Sequence, residues 1–122
     1  VGLLGGEVTV EAQLYEKELN EKTISVIHVP SSEQHVVRSV IEDVKAGNIS
    51  EATFLNMESL LSAFSEQGVE AVVLACTELQ AVMPNIRIPV NIKIFDSVEI
   101  LALAAIELAE LGLTNSVKKK YV

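Results

Sequence analysis

The sequence predicts an α/β protein, a three-layer sandwich built on a mostly parallel four-stranded sheet. Short apolar runs bounded by turn residues alternate with segments of helical periodicity, which is typical of parallel strands joined by crossover helices. Apolar residues make up 49% of the 122 residues and aromatic residues only 4%, so Val, Ile, Leu and Ala must form the core. Residues 71–75 are continuously apolar, as expected for a central strand buried on both faces.

The first part of the chain predicts two strands around one helix. Thr9 can cap that helix, because its hydroxyl can accept a hydrogen bond from the first helical turn. Pro30 ends the second strand, since the residue before a proline favours extended backbone and the ring cannot donate. In order, the predicted elements are a strand at 1–4, a turn at Gly5 and Gly6, a helix at 10–21 and a strand at 24–29.

The middle of the chain predicts two successive helices. Ser32 is a suitable N-cap for the first, and Gly47 is suited to the left-handed residue that ends it. The second runs from about Ser50 to Gln67, and Gly68 ends it. The apolar face of the first helix consists of Val36, Val37, Val40, Ile41 and Val44.

The last part predicts a strand at 70–75, a short helix after Cys76, a strand at 90–95 and a final helix capped by Asp96 or Ser97. The final helix, 97–111, is apolar around most of its circumference. Such a helix is normally buried on several sides, so we expect it to dock on another domain or subunit. The predicted organisation is a single domain over residues 1–112, ended by Gly112, and a tail over 113–122.

Ligands of open parallel sheets bind beyond the carboxyl ends of the strands. Four segments of the predicted fold lie at such ends, and we expect them to open on one edge of the sheet. They are Gly5–Thr9, Pro30–Ser32, Cys76–Glu78 and Asp96–Ser97.

Cys76 is the sharpest chemical feature of the sequence. It leaves a buried strand and enters a short helix, where oriented N–H groups can lower the pKa of a thiol from about 8.5 toward neutrality. Such a thiol can take or give a proton near neutral pH. The alternative is a small buried hydrophobic residue at a strand end.

Other polar residues near the strand ends have structural alternatives. Thr77 has capping-box spacing to Gln80 and can cap the short helix. Glu78 can orient Thr77, bind an amine, or lie exposed in the first helical turn. Asp96 is better interpreted as a helix cap than as a catalytic group. His28 and His35 lack metal-ligand spacing to Cys76, and no metal site is predicted.

Composition excludes several classes of function. The net charge of −8 disfavours nucleic-acid binding, and the basic cluster at 118–120 is interpreted as a solvated tail. No apolar run reaches the roughly 20 residues that span a membrane. One cysteine allows no internal disulfide and suits the cytoplasm. Because the chain starts at Val1 and enters a strand at once, we expect sequence upstream of it.

The segment around Cys76 resembles a known motif. Residues 72–79 are similar to the second-cysteine motif VLACTEL of aspartate/glutamate racemases. Residues 1–10 with Leu14 and Tyr15 resemble the segment VGLLAT-x-GTV…Y that opens the family's second half. Ile27–Pro30, Lys45 with Gly47, and Phe95–Ser97 also fit in order, so the resemblance spans nearly the whole chain. It implies the flavodoxin-like second half of such a racemase.

Racemases of this type use two cysteines, one on each side of the substrate α-carbon, and need neither pyridoxal phosphate nor a metal. The resemblance therefore implies no cofactor and a small acidic amino acid as substrate. It assigns Cys76 as one of the two acid/base thiols and Thr77 as a ligand of the α-carboxylate. It also places Thr9 in contact with substrate and Lys45 on the distal carboxylate, while Glu78 is typical of aspartate-type members.

The sequence departs from the family pattern at three points. Gly6 stands where the family has a threonine, and Val8 where it has a glycine. The cysteine of the first half, usually in a Cys-Asn-Thr string, is absent, so the isolated chain is expected to be inactive or nearly so.

Two alternatives stay open beside the aspartate racemase. One is a non-catalytic racemase-like module for binding or oligomerisation. The other is a related cysteine enzyme, such as a hydantoin racemase or a maleate isomerase. In each case, the expected partners are a missing N-terminal half or a second subunit, with a homo-oligomer as the simplest assembly.

Overall fold

The fold is described over residues 1–111 by a computed structural model. The helix end predicted at Gly112 and the tail at 113–122 lie outside the described residues. The strands are β1 Gly2–Leu4, β2 Ile27–His28, β3 Ala71–Leu74 and β4 Lys93–Asp96. The helices are α1 Glu7–Glu11, α2 Glu16–Glu21, α3 Gln34–Ala46, α4 Glu51–Glu66, α5 Thr77–Gln80 and α6 Ser97–Glu110, with a short 3-10 turn at Met83–Asn85.

The four strands form one parallel sheet in the order β2-β1-β3-β4. This is the order of the first strands in flavodoxin-like folds, so the predicted α/β class is confirmed. The chain winds outward in opposite directions from β1 and β3, which makes their shared boundary the topological switch point. All four carboxyl ends lie on one edge, as the sequence predicted.

One face of the sheet carries the main core. Leu4, Val72 and Leu74 are almost completely buried there, against α3 and α4. Gly2 lies on the same face, where a Cβ atom would come 3.1 Å from the ring of Phe64. The core therefore consists of aliphatic side chains closed around one phenylalanine, as the low aromatic content indicated.

The opposite face is only partly covered. The pairing register places Leu3, Val73 and Phe95 side by side on it. Leu3 is buried, but Phe95 is 42% exposed. His28 lies beside Leu3 and contacts Glu16 of α2 at 3.1 Å, which brings α2 to this face. An apolar strip on the β4 side is thus left open among the described residues.

The helix ends agree in part with the sequence prediction. Gly47 ends α3 in the left-handed region, at a φ of 69°, as predicted. Ser50 caps α4, and its backbone N–H donates to the Thr53 hydroxyl at 3.1 Å. The Ser32 cap is wrong: α3 begins at Gln34 after Glu33, because residues 31–33 form a turn first.

Two predicted elements in the first part are shorter than expected. The helix predicted at 10–21 is divided into α1 and α2, because Gln13 takes a positive φ of 50° between them. Thr9 does not cap it: Gly6 is the N-cap of α1, and Thr9 lies inside that helix. The strand predicted at 24–29 pairs only at β2, since its one neighbour, β1, is only three residues long.

The last helix differs most from its predicted surroundings. No residue of α6 is buried, and Leu101, Leu103 and Ile106 are more than half exposed. The predicted helix is confirmed, whereas its docking on a partner stays a prediction. Within residues 1–111, no helix is both long enough and apolar enough to cross a membrane.

Candidate active site

The strand order places a crevice outside the carboxyl ends of β1 and β3. In sheets of this type ligands bind at the switch point, where neighbouring connections leave in opposite directions. The segments that follow these two strands are Gly5–Thr9 and Cys76–Glu78. Two of the four predicted edge segments therefore line the position that topology favours for a ligand.

Gly5 allows the two segments to approach closely. A Cβ atom on Gly5 would lie 3.3 Å from the Cβ of Ala75 and 3.4 Å from the Cβ of Thr9, so a larger residue would force them apart. The Ala75 N–H also donates to the carbonyl of Leu4 at 2.7 Å. Thr9 thus lies beside the residue that leads directly into Cys76.

Cys76 stands between β3 and α5. Its backbone is extended and it is the N-cap of the four-residue helix, so the predicted strand-to-helix position is confirmed. Its thiol is partly buried and donates a hydrogen bond to Oε2 of Glu78 at 2.8 Å. The thiol packs against the hydrophobic core and also contacts a carboxylate, so the alternative of a small buried hydrophobic residue describes it only in part.

Glu78 is the centre of the polar contacts around the thiol. Its Oε2 also accepts a hydrogen bond from the Thr77 hydroxyl at 2.9 Å, and its Oε1 lies 3.9 Å from Nζ of Lys45. The structure therefore brings Cys76, Thr77, Glu78 and Lys45 together. Thr77 is the first residue of α5 rather than its cap, so the capping interpretation is wrong.

The expected lowering of the Cys76 pKa is wrong for this arrangement. Burial raises the pKa of the Cys76 thiol, and the Glu78 carboxylate raises it further by accepting the S–H and repelling the thiolate. The Glu78 backbone N–H and the more distant Lys45 oppose this shift. A helix of four residues supplies too weak a dipole to outweigh burial and an adjacent carboxylate.

The pKa of Glu78 is shifted in the opposite direction. The hydrogen bond from Cys76 lowers it most, followed by the Glu78 backbone N–H and the Thr77 hydroxyl. Each of these contacts stabilises the ionised carboxylate. The resting pair is therefore a thiol beside a carboxylate, and Cys76 is set to donate a proton before it can accept one.

Lys45 reaches the site from the last turn of α3 and lines a cavity of about 260 Å³. Gly6 and Glu7 line the cavity from the end of β1, while Arg38 and Glu42 line it from α3. Arg38 and Glu7 form an ion pair across it. Sequence reasoning missed Arg38, although its i, i+7 spacing to Lys45 on one helix face could have indicated it.

A second cavity, of about 440 Å³, lies beyond the carboxyl end of β2. His28, Ser31 and Gln34 line it together with Glu7, so the two cavities adjoin. The Nε2 of His28 lies 3.1 Å from Oε1 of the buried Glu16, but its Nδ1 is buried without a hydrogen-bond partner among residues 1–111, so the interpretation of a satisfied histidine holds for one ring nitrogen only. Glu16 and His28 lie in different elements, so no local sequence pattern predicts their contact.

The end of β4 is structural. Asp96 caps α6 by accepting from the N–H groups of Val98 and Glu99 at 2.8 and 3.0 Å, as predicted. Gln80 also donates to the Asp96 carboxylate, and Ser97 donates to the carbonyl of Leu74 at 2.7 Å. Within residues 1–111, no three His, Cys, Asp or Glu side chains are grouped so that they could hold a metal ion.

Comparisons with known proteins give one consistent family. The family model for Asp/Glu/hydantoin racemases matches residues 1–105. An uncharacterized protein encoded in the pnlA 3′ region of Pectobacterium carotovorum subsp. carotovorum is 32% identical over 83 residues, which are 68% of this chain and 55% of that protein.

A crystal structure of a candidate Asp/Glu racemase from Yersinia pestis matches with a TM-score of 0.75 and 30% identity. The match covers 88% of this chain and 47% of the Yersinia pestis chain. The chain thus spans about half the length of the relatives it matches.

Proposed function

This chain belongs to the Asp/Glu/hydantoin racemase family, and on that premise we propose a specific function for it. It is one domain of a cofactor-independent amino-acid racemase that interconverts the enantiomers of aspartate or a related acidic amino acid. The observation that supports this most is the hydrogen-bonded Cys76 thiol at the switch point of the sheet.

The proposed chemistry is proton transfer at the substrate α-carbon. As thiolate, Cys76 removes the α-proton as H⁺, and the electron pair stays on the carbon and is delocalised into the α-carboxyl group. As thiol, it returns a proton to the same side of that carbanion. The chain has one cysteine, so inversion needs a second acid on the opposite side.

The remaining site residues hold the substrate in this proposal. Thr77 binds the α-carboxylate once its single hydroxyl hydrogen turns from Glu78 to the substrate, Thr9 contacts the substrate beside it, and Lys45 binds the distal carboxylate. Glu78 accepts hydrogen bonds from the Cys76 thiol and the Thr77 hydroxyl, and its charge suits a substrate ammonium group. The closeness of Thr77, Glu78 and Lys45 to the thiol supports these roles.

We propose that the second cysteine comes from another half of the same protein or from a second subunit. The exposed apolar residues of α6 support a docking surface on this helix. The match to about half of the Yersinia pestis chain supports a second half as its partner. We further place the protein in the cytoplasm, where the exposed part of the thiol would stay reduced.

Deuterium exchange tests the proposal. The chain is incubated in D₂O with each enantiomer of aspartate, and loss of the α-proton signal is followed by NMR. We expect exchange of one enantiomer, rising with pH as the thiolate forms. Cys76→Ser should reduce it by about 100-fold or more, within the usual range for removal of a general acid/base.

Circular dichroism of Cys76→Ser is the folding control. Exchange that persists unchanged in the folded variant would contradict a role for the thiol. Repeating the assay with a hydantoin and with maleate separates the related cysteine enzymes, since the family name covers more than one substrate class.

A non-catalytic binding module is the second candidate. The raised pKa of Cys76 and the glycine at position 6 favour it, because both weaken the comparison with an active racemase. This candidate predicts no Cys76-dependent exchange of either enantiomer at any pH, even after the complementary half is supplied.

A further inference from the structure

We propose that Arg38 binds the side-chain carboxylate of the acidic substrate, and that the carboxylate of Glu7 occupies this place in the free chain. The substrate class rests on the proposed function. The residues that carry the inference line the cavity of about 260 Å³ beside Lys45. That volume is below the roughly 300–1,000 Å³ of sites for drug-sized ligands, so it suits a small molecule.

One face of α3 supplies the charges of this cavity. Arg38, Glu42 and Lys45 are spaced i, i+4 and i+7, so they lie in one row along the helix. Both cations of the row line the cavity. Arg38 adds a planar guanidinium, which can hold both oxygens of a carboxylate, whereas the ammonium group of Lys45 is a point charge.

In the free chain, a carboxylate of the protein itself is already paired with Arg38 in this cavity. Glu7, the first residue of α1, forms the ion pair with the guanidinium across the opening. This contact shows that Arg38 is accessible to a carboxylate that comes from the β1 side. The two side chains are 54% and 45% exposed, so Glu7 can swing into solvent without uncovering a buried charge.

The cavity is coupled to the reactive thiol by a short series of contacts. Lys45 lines the cavity and lies 3.9 Å from Glu78, whose other oxygen accepts from Cys76 at 2.8 Å. In this proposal a dicarboxylic amino acid places one carboxylate on Arg38 and Lys45, while its α-carbon approaches the thiol. Displacement of Glu7 would make Arg38 the residue that selects acidic substrates.

Binding of succinate, which has two carboxylates and no amine, tests the inference apart from catalysis. The ¹⁵N-labelled 122-residue chain is titrated with succinate and, separately, with butyrate, a monocarboxylate of the same length. We expect succinate to shift the amide signals of Gly6, Glu7 and Val8 and to bind more tightly than butyrate. Absence of a succinate-dependent shift at these residues would overturn the inference.

Two variants give opposite signs. Arg38→Gln should weaken succinate binding about tenfold, because a charge-assisted contact is lost. Glu7→Gln removes the internal competitor and should tighten it by about 1.4- to 5-fold, which corresponds to the usual strength of an exposed ion pair. Arg87→Gln is the matched control, since Arg87 is exposed and is not among the residues lining the cavity.

Each result decides one claim. Unchanged succinate affinity in Arg38→Gln, or weaker binding in Glu7→Gln, would overturn the inference even if deuterium exchange depends on Cys76. Conversely, succinate binding that depends on Arg38 while exchange is absent would support the inference on binding and overturn the proposed chemistry. Melting temperatures of the three variants confirm that the fold is intact.

Discussion

At the scale of single residues, burial and then Glu78 favour the protonated state of Cys76. The carboxylate accepts the thiol hydrogen at 2.8 Å, and its charge opposes the thiolate. Lys45 lies on the other oxygen and acts in the opposite direction. The balance favours a protonated thiol, so an isolated chain should work poorly as a base near neutral pH.

Alkylation with iodoacetamide measures this balance, because only the thiolate reacts. In the unmodified chain the rate should rise above the pH at which an ordinary thiol ionises, about 8.5. Glu78→Gln removes the opposing charge and lowers the pKa of Cys76, so it should react faster at neutral pH. Lys45→Gln should react more slowly, and this opposite sign is the control.

Equal alkylation rates in Glu78→Gln and the unmodified chain across the pH range would contradict the role of the carboxylate. A faster reaction in Lys45→Gln would contradict the assigned sign of the lysine. Mass spectrometry of the alkylated peptide confirms the site, since Cys76 is the sole cysteine.

Some features of the site can be predicted from the sequence, and others cannot. Cys76 at a strand end and Asp96 as a helix cap follow from local patterns, because strand ends and caps depend on adjacent residues. The ion pair of Arg38 with Glu7 joins residues 31 apart, and no local pattern indicates it. The pKa of Cys76 also depends on burial, which the sequence alone does not specify.

At the scale of elements, two glycines with different surroundings position β1 and the turn that follows it. Gly2 faces the ring of Phe64, a residue of α4 that is buried in the core. Gly5 lets the β1 end approach Ala75 and Thr9. The strand is only three residues long, so its position depends on these close contacts.

Gly2→Ala tests the packing of β1. The added methyl group would meet the Phe64 ring at 3.1 Å, and such overpacking costs about 1–3 kcal/mol. We expect the free energy of unfolding in urea to fall by about that amount. Gly6→Ser is the control, because a Cβ atom there meets nothing within 4 Å and serine is a suitable N-cap for α1.

A Gly2→Ala variant as stable as the unmodified chain would show that the Phe64 ring moves aside and that this close contact does not fix the position of β1.

The helices show which parts of an element can be predicted from sequence periodicity. Gly47 ended α3 as predicted, because only a left-handed residue fits there. The break at Gln13 was missed, since a non-glycine residue with positive φ has no strong local signal.

At the scale of the whole molecule, several large apolar side chains of β4 and α6 are exposed. Phe95 on the open sheet face and Leu101, Leu103 and Ile106 of α6 are all more than 40% exposed. Large apolar side chains exposed in this number favour an interaction site. The sequence predicts that α6 docks on another domain or subunit, but it does not specify which one.

Self-association tests this surface. We expect the chain to form dimers or larger oligomers in analytical ultracentrifugation, with α6 at the interface. A variant with Leu101→Lys and Ile106→Lys should shift to monomer, because lysine charges cannot be buried without partners. Leu55→Lys on α4 is the control: it is 57% exposed and lies on a different helix.

A monomer at every concentration would contradict self-association and favour docking on a complementary half alone. Oligomers that persist in the double lysine variant would place the interface elsewhere. Either result leaves the proposed chemistry of Cys76 open to its own test, because Glu78 on α5 and Lys45 on α3 are the charged residues that act on the thiol.

In the proposed function, one thiol exchanges a proton with the substrate from one side only. Chiral chromatography with mass detection of aspartate recovered from D₂O tests it most directly. We expect one enantiomer to gain a single α-deuterium and keep its configuration, and the other to stay unlabelled. Deuterated product of inverted configuration, formed by the monomeric chain alone, would contradict it.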